Sequence, residues 1–174
     1  MINIVGYKPG KFFMKYVSLA VLLLWAATAS AQDGKAPAKK DLFNVNKKTV
    51  AIYGWDVGSY FDAEPARGKA SFSSEYDGVT YFFSSEANQK RFTADPAKYE
   101  PVYGGWCAYA MGDTGKKVDI NPKTYKILDG KLYLFYNKFF NNTLDDWNED
   151  EANLKAKADK NWMNLEKGLP PAGK

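Results

Sequence analysis

The chain has 174 residues, 16% of them aromatic, with 24 Lys and Arg against 20 Asp and Glu and a formal net charge of +4. It contains no histidine, which excludes Ser-His-Asp hydrolases, Cys-His proteases, zincins and His-ligated haem. Cys107 is its only cysteine, so no internal disulfide can form.

Lys8, Lys11 and Lys15 precede an apolar run from Val17 to Ala27, followed by Ala29-Ser30-Ala31 before Gln32. A positive n-region, a short apolar h-region and small residues at an A-x-A site predict a secretory signal peptide over residues 1–31. The run falls short of the roughly 20 apolar residues a membrane span needs. The sequence therefore predicts an exported protein, periplasmic or secreted, without a stable span after cleavage. Three of the 24 basic residues leave with the signal, and the remaining 21 face 20 acidic ones. That balance points to neither a nucleic-acid nor an anionic-membrane partner.

Residues 32–40 are small and polar and read as a disordered tether. The folded domain is expected over 41–166, with a flexible tail over 167–174. Thr49 to Tyr53 reads as a short strand ended by Gly54, with Asp56 capping a brief helical segment through Phe61. Phe72–Tyr76 and Val79–Phe83 flank Asp77-Gly78, a dipeptide that tolerates the positive φ values of a type I′ turn. Tyr125–Leu128 and Lys131–Phe135 flank Asp129-Gly130 in the same way. The fold class is therefore α+β: a small antiparallel sheet from two Asp-Gly hairpins, packed with short helices and a C-terminal helix. No further internal repeat is legible, and the hairpins are too dissimilar in sequence to argue duplication.

Ser84 or Ser85 should cap a helix running to about Ala94 with Phe92 on its inner face, and Asp95-Pro96 should stop it and start another turn. Gly104-Gly105 breaks the chain before Trp106. Asn148 reads as the cap of the C-terminal helix, with Glu149, Asp150 and Glu151 in its first turn and Lys155, Lys157 and Lys160 later.

The candidate site centres on Gly104-Gly-Trp-Cys-Ala-Tyr-Ala-Met111. If a helix starts at Trp106, the Cys107 thiol lies in its first turn, where the helix dipole favours a thiolate. Met111 is four residues on and shares that face. Thiolate plus thioether is the soft ligand set that suits Cu(I). The alternative is that both residues point into the core, where their types commonly sit. Tyr53, Tyr103 and Tyr109, with Gly104, Gly105 and Trp106, form the expected surroundings. The acidic run Asp145–Glu151 lacks the spacing of an EF-hand loop, and Gly112–Lys117 lacks both the first Gly and the Ser/Thr of a P-loop. Asn141-Asn-Thr143 is a formal glycosylation sequon.

Val50-Ala-Ile-Tyr-Gly-Trp-Asp-Val-Gly-Ser-Tyr-Phe61, Tyr81-Phe-Phe-Ser-Ser-Glu-Ala-Asn88, Phe92-Thr-Ala-Asp-Pro-Ala-Lys-Tyr99, Tyr103-Gly-Gly-Trp-Cys-Ala-Tyr109, Asp129-Gly-Lys-Leu-Tyr-Leu134 and Lys157-Ala-Asp-Lys-Asn-Trp162, in that order, resemble the exported YHS-domain proteins. The resemblance runs from about Asp41 to Trp162. It implies heavy-metal handling, an activity associated with YHS and the related TRASH domains, often through cysteines near a strand–helix junction. Here that junction, Phe82 to Asn88, holds neither Cys nor His. The resemblance also implies a functional role for Cys107, because some relatives in the exported branch are selenoproteins.

Three functions follow as expectations. The first is an exported module that binds a soft metal, most plausibly copper, through Cys107 with Met111 as second ligand. The second is a thiol-redox protein in which Cys107 cycles through a sulfenic acid resolved by an external thiol. The third is a non-catalytic accessory module that docks through aromatic surface onto a protein partner in the envelope. The balance of residues is against an enzyme.

Overall fold

The computed structural model describes residues 36–62 and 64–172, so the expected signal peptide lies outside the described residues. From Asp33 onward the chain forms one compact unit. Among the described residues no helix is long and apolar enough to cross a membrane. The class is α+β, with small antiparallel sheets and several helices.

The first helix, α1 (Lys39–Leu42), begins inside the segment read as a tether. It is held by Lys39, whose Nζ donates to Glu100 at 2.9 Å and sits 2.9 Å from Asp77. The strand expected from Thr49 to Tyr53 does not form. Val50 makes one parallel bridge to Thr80, Ala51 one antiparallel bridge to Val45, and Ile52–Gly54 is a 3₁₀ turn. Thr49, Ile52 and Tyr53 hold φ of 60, 37 and 58, which no strand accommodates.

Strands β1 (Lys69–Tyr76) and β2 (Val79–Phe83) form the first hairpin, with Tyr76 opposite Val79. Asp77 and Gly78 between them have φ of 51 and 78. Strands β3 (Asn121–Leu128) and β4 (Lys131–Phe135) form the second, with Leu128 opposite Lys131 and φ of 51 and 70 at Asp129 and Gly130. Each pair is its own two-stranded ribbon rather than part of one sheet.

Helix α2 (Glu86–Ala94) is capped by Ser85, whose side chain accepts from Asn88 N–H, and it buries Phe92. Asp95 caps α3 (Pro96–Tyr99). A 3₁₀ turn over Val102–Gly105 leads to α4 (Ala108–Asp113). The tiny ribbon β5 (Asn137–Lys138) and β6 (Asn141–Asn142) precedes α5 (Thr143–Glu149) and α6 (Glu151–Glu166). The C-terminal helical region thus starts at Asn142, which caps Leu144 N–H, and Asn148 lies inside α5. A break at Asp150 (φ −142, ψ 43) separates the two helices, and Lys155, Lys157 and Lys160 all fall within α6. The last described residues are tied down through Ala172 N–H, which donates to Asn161 Oδ1 at 2.9 Å.

The two ribbons belong to two equivalent units, a relationship the sequence did not suggest. Both pair a strand of 8 residues with one of 5, and both shift register after the first residue, between Lys69 and Ser73 or between Asn121 and Tyr125. Each second strand takes a parallel bridge from a residue ahead of a 3₁₀ turn: Val50 to Thr80, Pro101 to Leu132. Each turn contains a Tyr-Gly pair at positive φ, Tyr53-Gly54 or Tyr103-Gly104. A tryptophan follows each, Trp55 or Trp106, and then a fully buried residue, Asp56 or Cys107.

The units differ after the second strand. Helix α2 begins three residues beyond Phe83 (86 − 83), whereas α5 begins eight beyond Phe135 (143 − 135). The five extra residues build the β5–β6 hairpin.

Two hydrophobic clusters fill the interior. One gathers Leu42, Ile52, Val57, Tyr81, Phe83, Phe92, Cys107, Leu132 and Leu134, and the other Tyr103, Met111, Tyr133, Phe135, Trp147 and Ala158.

Candidate functional site

Cys107 sits at the N-cap of α4, one residue ahead of the helix rather than inside its first turn. Its C=O accepts from Met111 N–H at 3.0 Å and its own N–H donates to Val118 O at 2.9 Å, so the backbone holds it from both sides. The side chain has no exposure.

The thiol's polar capacity is taken up. Tyr136 N–H donates to Sγ at 3.3 Å. Thr143 Oγ1 lies 3.4 Å from Sγ and donates its own proton to Tyr136 O at 2.9 Å. The S–H therefore points to Thr143 Oγ1, and three hydrogen bonds close a ring through Tyr136, Cys107 and Thr143. A buried polar group with both partners is stable where an orphaned one would be penalised.

Asp56 is the counterpart of Cys107 in the first unit. Its Oδ2 accepts from Ser84 N–H at 2.8 Å, Ser84 Oγ at 2.6 Å and Asn88 Nδ2 at 2.7 Å. Its Oδ1 accepts from Gly58 N–H at 2.8 Å and Ser59 N–H at 3.3 Å. Its own N–H donates to Ala66 O, as that of Cys107 donates to Val118 O. Ser84 and Tyr136 each directly follow the second strand of their hairpin. In both units, then, the residue after the tryptophan accepts the N–H of the residue that leaves the ribbon. One unit uses a carboxylate and the other a thiol.

Of the other expected site residues, Tyr109 packs against the cluster that holds Cys107, and the rest have partners of their own. Met111 is fully buried but belongs to the second cluster, among Tyr103, Tyr133, Phe135 and Trp147. Tyr103 donates from its hydroxyl to Asp159 Oδ1 at 2.8 Å and stacks edge-on against Tyr133 and Trp162. Burial, with Asp159 beside it, raises its pKa far above the usual tyrosine value. Gly104 lets this turn pass close to its neighbours: a Cβ there would meet Trp162 at 2.7 Å and the Phe43 Cα at 3.1 Å.

Tyr53 is 40% exposed and donates to Asp119 Oδ1, which also accepts from Asn44 Nδ2 at 3.2 Å. Burial and then Asp119 push its hydroxyl up to about 12. The same Asn44 amide donates to Gly105 O at 3.2 Å, joining Tyr53 to the Gly-Gly turn. Trp106 donates from Nε1 to Leu42 O at 2.7 Å, and Lys117 Nζ lies 5.9 Å from its ring centre. Tyr109 is half-buried on α4, and burial raises its pKa.

An open groove of about 460 Å³ runs beside Phe43, Tyr103, Tyr133 and Trp162. Among the charged groups that line it, Lys39 is paired with Glu100, Asp159 with Tyr103 and Lys155, and Lys131 donates to Ala97 O.

Sequence reasoning missed Thr143 and Tyr136 as the partners of the thiol, and Asp56 as its counterpart. The repeated Tyr-Gly, Trp and Asp-Gly landmarks were the available signal.

A soft metal is implied by the resemblance, and the residues present do not fit one. The sulfur is enclosed and hydrogen-bonded, and the thioether is in another cluster. No three His, Cys, Asp or Glu side chains gather to hold an ion among the described residues.

No curated protein and no solved structure matches the chain. The family model described as the YHS domain matches residues 58–103, from just after Asp56 of the first unit to Tyr103 of the second. A YHS domain is therefore present at residues 58–103 of this chain.

Proposed function

We propose that this chain is an exported, non-catalytic YHS-type module that works by attachment, with Cys107 as an internal latch. The equivalence of Cys107 with Asp56 carries this reading. A position filled by a thiol in one unit and a carboxylate in the other, each taking the N–H that leaves its ribbon, is explained by hydrogen bonding and not by sulfur chemistry. The enclosed ring supports it further, since a reactive thiol needs solvent access and a stabilised thiolate. Export rests on the N-terminal charge, apolar run and A-x-A pattern.

The experiment is a thiol titration with a small aromatic disulfide, run on folded and guanidinium-unfolded protein, with Cu(I) bound against a competing chelator. The latch reading expects a protected thiol in the folded state, one reactive thiol after unfolding and no copper retained. The YHS match favours a second reading, soft-metal binding, because that domain is associated with metal handling; Cys107 and Met111, the soft ligands of that reading, lie beyond the matched residues 58–103. A thiol that reacts in the folded protein and is protected by Cu(I) would establish that second reading. Reaction without Cu(I) protection would instead indicate redox use.

A further inference from the structure

The β5–β6 hairpin has no counterpart in the first unit, where the ribbon, the buried acceptor and the capped helix form without one. Its turn is Phe139-Phe140, and these side chains are 96% and 107% exposed. Phe139 also holds φ of 56, an unfavourable value for a bulky residue that structures retain where the position is used.

The hairpin is presented rigidly. Asn137 pairs with Asn142 and Lys138 with Asn141. Asn137 Nδ2 donates to Thr124 Oγ1 at 3.1 Å, Asn121 Nδ2 donates to Asn137 O at 3.4 Å, and the root closes on the Cys107–Tyr136–Thr143 ring. Two exposed lysines belong to this part of the chain: Lys138, next to Phe139, and Lys123, next to the Thr124 that holds Asn137. Neither forms an ion pair among the described residues. The neighbouring carboxylate Asp145 accepts from Asn142 at the root, on the side away from the tip.

We infer that this hairpin is a foot that inserts Phe139 and Phe140 into an anionic phospholipid surface, with Lys138 and Lys123 at the headgroups. This rests on the reading of the chain as an attachment module. Area and charge select the occupant. Two phenylalanines offer roughly 400 Å² between them, about half of the roughly 800 Å² per partner of a stable protein interface. The residues on either side of the pair are asparagine and lysine, so the apolar patch does not extend. A lipid interface requires no matching pocket. It takes aromatic side chains at the acyl boundary and attracts unpaired lysines to anionic headgroups.

The test uses the chain from Gln32, which keeps the compact unit beginning at Asp33. It is sedimented with vesicles of phosphatidylcholine alone, or with about a third phosphatidylglycerol, at about 0.1 M salt. Binding is expected to the anionic vesicles. F139S/F140S should lower the partition coefficient at least about tenfold, and Lys138→Glu severalfold, with unchanged melting because these side chains support no core. Failure of the chain to bind anionic vesicles, or equal binding by F139S/F140S, overturns the inference. So does a dimer that F139S/F140S dissociates without any vesicle binding, because a second copy would then cover the tip. The thiol and copper measurements read the sulfur at the root of the hairpin and the vesicle measurements read the Phe139-Phe140 tip, so the attachment reading and the lipid assignment fail separately.

Discussion

The backbone of Gly112 in α4 lies against the C=O of Leu154 in α6, so closely that a Cβ on Gly112 would stand 2.5 Å from that oxygen. The contact brings Asn161 Nδ2 within 2.8 Å of Met111 O, where it satisfies a buried carbonyl of α4. Gly112→Ala should therefore push the helices apart. We expect a loss of about 2 kcal/mol or more, read as a lower midpoint in urea unfolding. An unchanged midpoint would mean that the seam can widen without penalty.

Gly130, in the second hairpin turn, and Gly68, just ahead of β1, separate backbone strain from crowding. Gly130 has φ of 70 and a Cβ there would meet nothing within 4 Å, whereas a Cβ at Gly68 would lie 2.4 Å from the Phe82 carbonyl carbon. Gly130→Ala should lower stability by about 1 kcal/mol through its φ value alone. Gly68→Ala should lose more, because β1 must move away from β2. Thermal melting that ranks the two in the reverse order would contradict this account.

The ring around Cys107 predicts coupling. Cys107→Ala leaves Tyr136 N–H without its acceptor and should lose about 1–3 kcal/mol, whereas Thr143→Val removes only the hydroxyl donor to Tyr136 O, which keeps the Thr143 N–H, and should lose about 1 kcal/mol. Because both residues serve one closed set of bonds, the double variant should lose clearly less than the sum. Additive losses in a double-mutant cycle would show that the bonds do not act together.

Alkaline pH should unfold the protein through its tyrosines. Tyr53 is pushed up to about 12 by burial and Asp119, and Tyr81 and Tyr103 are raised further by burial with Glu100 and Asp159 close by. A folded-state pKa above the unfolded value of about 10 contributes stability that is fully present below pH 10. That contribution is lost as pH rises from 10 through 12 and beyond. Absorbance at 295 nm should show these hydroxyls ionising above pH 10, the most buried of them together with unfolding. A native titration in which every tyrosine ionises near pH 10 would refute the assignment.

The α+β class was legible because its signals are local: alternating strands, Asp-Gly dipeptides, Ser85 as a cap, Asp95-Pro96 as a stop. Other features depend on distant partners. Thr49 to Tyr53 has strand composition, yet Ile52 N–H is taken by Asn44 O and Asn44 N–H by Gly104 O, which fixes a turn instead. Asn142 and Asn148 look alike as caps, and the β5–β6 hairpin determines which of them begins the helix. Cys107 meets its partners 29 and 36 positions away, so its spacing to Met111 said nothing about what surrounds the sulfur. The repeat stayed hidden because its defining bond joins a backbone N–H to two unlike acceptors, a carboxylate and a thiol.

The paired architecture has a consequence for any attempt to shorten this protein. A fragment cut at residues 58 and 103 would hold Ser84 and Asn88 without Asp56, the carboxylate that receives both. It would also strip Val79, Tyr81 and Phe83 of Leu42, Ile52, Leu132 and Leu134, the side chains that complete their cluster. Such a peptide would carry the recognisable stretch and lack most of the interior that stretch packs against. The cooperative unit is set by where the first cluster closes, and that boundary lies well outside the segment by which the family is recognised.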